Sequence, residues 1–411
     1  MKILRFIYCV ALMVTIPGSI FALDLGEKVR INGFLSQGYL KSSDNNFLSS
    51  ESQDGTFELN EFGLTLTSQP TDNLRLGIQL LSRDAGDDGN NTLTVDWAFG
   101  DYLLRDWLGV RFGKVKTPLG LYNTTRDQDL LRTMVFLPQS IYDEGLRDIV
   151  STVYGGGLYG NIAFEAFGDL DYQIVYGMSS VPDDSLMMKK TKEKATLYST
   201  TPVPYGFGGN PVDEISFHDK GTLAASLVYN TPLYGLRFGI SYFDSESVFN
   251  TKDANGVLIT DFTSKQNDMW VVSLEYGNEY MTLVGEYMEI TTSLDGFAED
   301  VYLSPFWTGH ISEATSQGWY VQGSAPVPGI PALSVSVMYD VFYPDKEIKS
   351  GDDHSKWRKD LGLGLRYDIN GNWLLKAEYH DIDGTSMTSS VNPGPREKDW
   401  SYFVFKTSFY F

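Results

Sequence analysis

RFGKVK (111–116), TPLGLYNTTRDQDLLRTMVFLPQSIYDEGLRD (117–148) and VYGGGLYG (153–160) form the stretch that decides how this chain is read. Its two flanks have the composition of strands, and the 32 residues between them mix charges with scattered apolar side chains. A connection of that length needs a surface to pack on. In a wide β-barrel the lumen offers one. The expectation is therefore an all-β fold, a transmembrane antiparallel β-barrel, with residues 117–148 folded inward as its constriction loop.

Composition bounds the rest. Residues 1–22 read as a secretory signal: Lys2 and Arg5, an apolar run from Phe6 to Ile16, then Ile20-Phe21-Ala22 as a cleavage site. Residues 23–411 would then form a single outer-membrane barrel without a linker or composition break. No later apolar run reaches the ~18 residues of a membrane helix. The lone cysteine, Cys9, falls in the signal, which leaves no thiol for disulfides, clusters or nucleophiles. Asp plus Glu number 53 against 32 Lys plus Arg, a net charge of −21 that argues against nucleic acid as a partner.

Repeated segments alternate apolar with polar or small residues, the period of a strand between two media. Clear stripes are Leu74, Leu76, Ile78, Leu80; Leu93, Val95, Trp97, Phe99; Leu236, Phe238, Ile240, Tyr242; and Trp270, Val272, Leu274, Tyr276. Two more run Leu333, Val335, Val337, Tyr339, Val341 and Leu361, Leu363, Leu365, Tyr367. These are expected to face lipid, and the charges on the alternate positions need water. Short connections at 70–73, 230–235, 276–280 and 369–372 alternate with long ones near 41–55, 84–91, 117–148, 180–218, 244–268, 289–316, 344–356 and 381–399. That asymmetry of tight turns and large loops belongs to outer-membrane barrels. About sixteen strands can be counted, with fourteen or eighteen open. Tyr and Trp recur where stripes end, as in headgroup-level girdles, the other reading being core packing in a soluble β-sandwich. The last strand, WSYFVFKTSFYF (400–411), ends on Phe411. It is similar to the terminal signature by which the barrel-assembly machinery recognises Gram-negative outer-membrane barrels.

GKVKTPLG (113–120), followed by LPQSIYDEGLRD and GGGLYG, resembles the phosphate-selective porin O/P superfamily of Gram-negative outer-membrane porins. Gly113, Lys116 and Pro118 carry the likeness. It implies a sixteen-stranded barrel, a homotrimer, that passes small solutes and ions by diffusion, with phosphate or small carboxylates as the favoured anions. It also implies Lys116 as the cation at the loop root and Pro118 as the residue that turns the chain inward. The strands carry no dense arginine ladder, so the general porin class is what carries over.

With the stripes toward lipid, the lumen wall is expected to hold Arg75, Arg83, Asp96, Arg111, Arg237, Glu275, Glu286, Asp340, Arg366 and Lys376, together with Lys406 and Glu378. The pore constriction is expected to hold Lys114, Lys116, Arg126, Asp127, Asp129, Arg132, Asp143, Glu144 and Arg147. Opposed charges in a narrow passage orient dipolar solutes, and their net sign biases ion traffic. The competing reading is that these charges pair with one another to hold the loop on the wall. Strict alternation would aim Lys114 and Lys116 at lipid, where a charge costs ~2 to 4 kcal/mol. A bulge or strand end near Gly113 is expected to re-aim both. Asp129 to Phe136 is expected to form one or two helical turns with Leu130 and Met134 on the wall. The Gly155-Gly156-Gly157 run suits close approach of the inward loop. Acidic pairs Asp87-Asp88, Asp183-Asp184 and Asp352-Asp353 fall in external loops, where solvation or divalent cations near lipopolysaccharide would serve them.

No cofactor or metal set is legible. His380, beside Glu378 and Asp381, is the one histidine on an inward position, too little for catalysis. A passive porin with a modest preference for small anions is the reading. The alternative is an outer-membrane β-barrel adhesin or structural protein acting through its external loops, with outer-membrane lipid and lipopolysaccharide around it.

Overall fold

Alternation of apolar and polar side chains makes strands of nearly every long segment, because a sheet between lipid and water needs one face of each kind. The computed structural model describes residues 23–24, 29–183, 185–200, 209–297, 312–388, 391–392 and 395–411. The signal segment 1–22 and Asp184 lie outside the described residues. Sixteen long antiparallel strands result, in agreement with the expected number. They are β1 Val29–Ser42, β2 Leu59–Thr71, β3 Leu74–Ala85, β4 Asp88–Arg105, β5 Leu108–Lys116, β6 Thr152–Ala163, β7 Asp169–Met178 and β8 Val212–Asn230. The second half comprises β9 Leu236–Asp253, β10 Leu258–Gly277, β11 Thr282–Phe297, β12 Ser312–Val327, β13 Ile330–Tyr343, β14 Arg358–Asn370, β15 Trp373–Asp383 and β16 Asp399–Tyr410. Each strand pairs with the next, and β16 returns to β1, with Tyr402 against Ser42 and Tyr410 against Phe34. The short strand Leu23–Asp24 extends this seam beside Ile31 and Arg30.

Tight turns at 72–73, 106–107, 164–168, 231–235, 278–281, 328–329 and 371–372 share one end with both termini. The other end carries the long connections 43–58, 117–151, 179–211, 344–357 and 384–398. Two expected long loops, 84–91 and 244–268, are instead extended hairpins that turn at 86–87 and 254–257. Pairs such as Ser245 with Gln266 and Ser247 with Ser264 show why. Above the bilayer both faces of a hairpin meet water, so the alternation that marks a strand fades. Likewise β11 runs on to Phe297 and β12 begins at Ser312.

All six stripes supply exposed apolar side chains to the outer face, among them Leu76, Phe238, Ile240, Val272, Leu274, Val337 and Leu363. The stripe on β4 breaks. Gln79 pairs with Trp97 but Leu80 pairs with Val95, so Asp96 is an extra residue. A one-residue bulge flips every side chain beyond it to the other face. Leu93 and Val95 face outward as expected, whereas Trp97 and Phe99 face the lumen.

The seam closes on the last residue. Gly33 N–H donates to the Phe411 carbonyl at 2.9 Å, and Phe411 N–H donates back at 3.0 Å. The Phe411 ring covers Gly33 so closely that a Cβ there would run into it. Gly33→Leu is expected to prevent closure, read as loss of the compact, heat-modifiable form on a denaturing gel. A compact form at wild-type abundance would contradict this account of the seam.

Candidate functional site

Residues 117–151 leave β5 and return to β6 through a neck tied at both sides. Thr117 N–H donates to the Ser151 carbonyl at 3.0 Å, and its hydroxyl donates to the Val150 carbonyl. Asn123 Nδ2 bridges the neck, donating to the Thr117 carbonyl at 3.0 Å and to the Val150 carbonyl at 2.7 Å. Buried backbone groups need such partners wherever no ladder supplies them. Gly120, at φ +56°, takes a left-handed turn beside the Tyr142 hydroxyl, a conformation that suits glycine.

From this neck the loop crosses the lumen and reaches the wall on several sides. On β9 to β12, Gly120 N–H donates to Ser241 Oγ at 2.8 Å and Leu121 N–H to Glu286 Oε1 at 2.9 Å. Glu286 also accepts from the hydroxyls of Ser273, Tyr142 and Tyr320 at 2.6, 2.6 and 2.8 Å, a carboxylate solvated by donors rather than by a cation. On β13, Asp340 accepts from Ser140 N–H at 3.2 Å and from Arg358 at 3.1 Å. On β15 and β16, Lys376 Nζ reaches Asp129 Oδ1 at 2.7 Å, and Ser408 donates to Asp129 Oδ2 at 2.6 Å. On β2 and β3, Arg83 bridges Asp88 and Glu144 at 2.8 and 2.6 Å, while Arg147 lies 3.4 Å from Glu61 and 3.5 Å from Glu144. Lys406 meets Glu61 at 2.7 Å.

Burial by itself would raise the carboxyls of the loop. The ammonium of Lys116 beside Asp127, that of Lys376 beside Asp129 and the guanidinium of Arg126 beside Glu144 outweigh it. All three carboxyls are held below the ordinary carboxylate range, Asp127 at about 2.

Most residues expected at the constriction are thus brought together, as ion pairs against the wall. Lys116 meets Asp127 and, at 3.2 Å, Asp96; Arg126 meets Glu144 at 3.0 Å; Arg132 meets Asp129 at 3.3 Å. Asp143 caps the turn Glu144–Leu146 by accepting from Gly145 N–H at 2.8 Å. Lys114 is a correction. The β5–β6 register runs unbroken through Gly113 to Lys116, so no bulge re-aims it. Its backbone stays in the outer row opposite Tyr154, but the side chain enters the gap between β4 and β5, its Nζ 5.4 Å from that ring and donating to the Val95 carbonyl at 2.6 Å, where it borders a cavity with Asp96, Arg147 and Asp148. Strand β4 stops pairing with β5 at Ala98–Lys114, which leaves room for this contact.

Along the wall, Arg75 and Arg111 both reach Asp101, Arg237 pairs with Glu275 at 2.9 Å, and Arg366 pairs with Asp368 at 2.9 Å and donates to the Leu130 and Arg132 carbonyls. Glu378 accepts from Val135 N–H and faces His380 at 3.2 Å. Asp129–Leu131 forms a single 3-10 turn, with Met134 buried but Leu130 exposed. Of the glycines, Gly362 and Gly364 receive Met134 and Gly318 receives the Ser140 carbonyl, whereas Gly156 lies under Phe112 on the outer face. The triple glycine does not receive the loop. Asp88, assigned to a solvated acidic pair, is buried by Arg83 and by Leu186 N–H at 2.9 Å.

Sequence reasoning missed how apolar the lumen is. Leu119, Leu137, Ile141, Tyr142, Ile149 and Val150 of the loop pack against Phe243, Val271, Val284, Met288 and Tyr320 of the wall. Uninterrupted apolar pairs such as Val271-Val272 were the available signal, since one member must face inward. Val135 and Phe136 join Leu40, Phe47, Trp400, Tyr402 and Val404 in a second cluster. The helix Leu186–Thr200, unforeseen within an external loop, adds Met188 to the first cluster and packs beside β8, β10 and the turn Glu144–Leu146. Between loop and wall remains a cavity of about 410 Å³, bordered by Tyr122, Thr133, Arg237, Glu275 and Gln322.

Comparison with known proteins adds three findings. No curated protein sequence matches the chain. Solved structures share the fold at low identity. The anion-selective porin from Comamonas acidovorans is 14% identical over 93% of this chain and 99% of its own, with a TM-score of 0.52. The trimer form of in-vitro folded OmpT, an outer membrane protein of Vibrio cholerae, is 15% identical over 93% and 99%, with a TM-score of 0.53. The outer membrane channel DcaP of Acinetobacter baumannii is 13% identical over 95% and 99%, with a TM-score of 0.51. A family model described as Gram-negative porin matches residues 9–386. The chain belongs to the Gram-negative porins, channel proteins of the bacterial outer membrane.

Proposed function

We propose that the protein is a passive diffusion channel for small hydrophilic solutes, with a modest preference for small anions such as phosphate or carboxylates, and that it is not an enzyme. The observation that carries this reading is the loop 117–151, anchored across the lumen by paired charges while a cavity with Arg237, Glu275, Tyr122 and Gln322 remains beside it. Solutes would pass between loop and wall, where opposed charges orient them. The preference for anions rests on Arg75, whose side chain is 52% exposed and shares its carboxylate with Arg111. The similarity to an anion-selective porin is consistent with it. A homotrimer is proposed on the likeness to a trimer-forming barrel. Recognition by the barrel-assembly machinery is proposed at Phe411.

The adhesin or structural reading draws on a different observation, the two apolar clusters that fill much of the lumen. A planar lipid bilayer separates the two. Stepwise conductance from folded protein is expected, and its absence would favour the sealed barrel.

Selectivity is best tested at Arg75, because Lys116→Glu would set a third carboxylate against Asp96 and Asp127 and dislodge the loop root. Arg75→Glu is expected to move the zero-current potential toward cations, and more so at low salt, since exposed charges are screened within ~8 to 10 Å at physiological ionic strength. An unchanged potential would remove Arg75 from the solute path.

Acid should release the loop. The lowered carboxyls anchor it fully above the ordinary carboxylate value, and the anchoring is lost as pH falls through their depressed values, between about 4 and about 2 for Asp127. Steady open-channel current is expected from neutral pH down to about 4, with rising noise below it. A trace that stays equally quiet as acid is carried down to the unfolding of the barrel itself would contradict the anchoring role of these pairs.

A further inference from the structure

We propose that the short-turn half of the lumen carries a binding site for planar aromatic carboxylates, built from Trp97, Phe99, Arg75 and Arg111. The proposal rests on the porin reading and narrows it to a solute class.

The β4 bulge that turns Trp97 and Phe99 inward puts two stacked rings, centroids 5.1 Å apart at 26°, on the luminal face. Both are half-buried. Gly77 gives the indole its seat, because a Cβ there would lie 2.7 Å from Trp97 Cζ3. Phe99 packs on Val115, Val153 and Val175 and under Arg111, so it backs the stack, and the partly exposed indole of Trp97 is the surface that gains by being covered with another flat apolar group.

Beside the rings lies a cation in excess. Arg75 Nη2 and Arg111 Nη2 donate to the same oxygen, Asp101 Oδ2, at 2.5 and 3.0 Å, and the Tyr159 hydroxyl donates to Oδ1. Two guanidiniums on one carboxylate leave one formal positive charge. Arg111 is clamped between Phe99 and Tyr159, its Cζ 4.4 and 4.8 Å from their centroids, and is a fixed part of the wall. Arg75 lies 5.7 Å from the Phe99 centroid and is the group open to a ligand.

Charge alone gives phosphate or acetate only the modest preference proposed above. Asp169 and Asp171, held by Asn161 and Asn230 at 2.7 to 2.8 Å, lie together on β7 toward the same rim, two strands from Arg111, and weaken the pull on any anion. A ligand with both a flat ring and a carboxylate gains from the stack and from Arg75 together. From Arg75 to Gln79 the strand rises roughly 13 Å. The site therefore spans the distance from the short-turn rim to the loop root, where Gln79 meets Asp127.

The test compares sodium benzoate, cyclohexanecarboxylate and acetate as blockers of the chloride current in a bilayer, each added on the short-turn side. Benzoate is expected to block at lower concentration than either of the others. Phe99→Ala or Trp97→Ala should weaken the benzoate block roughly threefold to tenfold, and Arg75→Gln should weaken it as well. Phe403→Ala, on the lipid face, should leave it unchanged. Equal block by benzoate and acetate, or a benzoate block indifferent to Phe99→Ala and Trp97→Ala, overturns the proposal. If no conductance is seen, the porin reading fails by itself. Saturation-transfer NMR of benzoate with the detergent-solubilised protein then decides the site: transfer that is lost in Phe99→Ala supports it, and no transfer overturns it.

Discussion

Ions that the barrel shields from water must meet counter-ions, and in this protein many of those counter-ions belong to the inward loop. Lys376, with no exposed side-chain surface, donates to Asp129 Oδ1 and to the carbonyls of Asp129 and Met134. Arg126, equally enclosed, is held by Glu144 and the Tyr142 carbonyl. Such pairs add little net stability against an apolar alternative, but removing one partner costs about 3 to 5 kcal/mol. They therefore specify where the loop lies more than how strongly the barrel folds. The apolar packing of Leu119, Ile141 and Tyr142 on Phe243, Val271 and Val284 supplies the cohesion, and the ions supply the register.

This division of labour also explains how the passage is bounded. Because the loop pairs with β2 and β3 through Glu144 and Arg147, and with β15 and β16 through Asp129, its charges are largely spent on the wall. On the proposed reading, the groups among the described residues that would address a solute are on the wall itself: Arg237 with Glu275 beside the cavity, and Arg75 toward the short turns. An acidic chain can in this way present a locally basic luminal patch.

Much of the fold was legible because lipid and water impose a strict period of two. The stripes on β3, β9, β10, β13 and β14, the tight turns and the span of the inward loop all follow from that constraint. Legibility ended wherever the constraint lapsed. A single extra residue, Asp96, reversed Trp97 and Phe99, and no composition signal marks it. Asp101 was passed over because its partners Arg75, Arg111 and Tyr159 lie on other strands. The cost of a charge in lipid holds for Lys114, but it is met without a bulge: the gap beside the Val95 carbonyl, left without a β5 partner, takes the side chain toward Asp96 and Asp148. The ion pairs at the loop were foreseen as the competing reading of the same residues, but which cation meets which carboxylate depends on barrel geometry.

The claim that ion pairs set the loop is tested most directly by a double-mutant cycle on Asp129 and Lys376, read as excess noise in the open-channel current. Asp129→Asn and Lys376→Met should each raise the noise, since each removes the 2.7 Å ion pair that ties the loop to β15. The double variant should return much of the way to wild type, the non-additivity expected of two residues in contact. Strictly additive effects, or single variants as quiet as wild type, would show that the loop is held by packing alone.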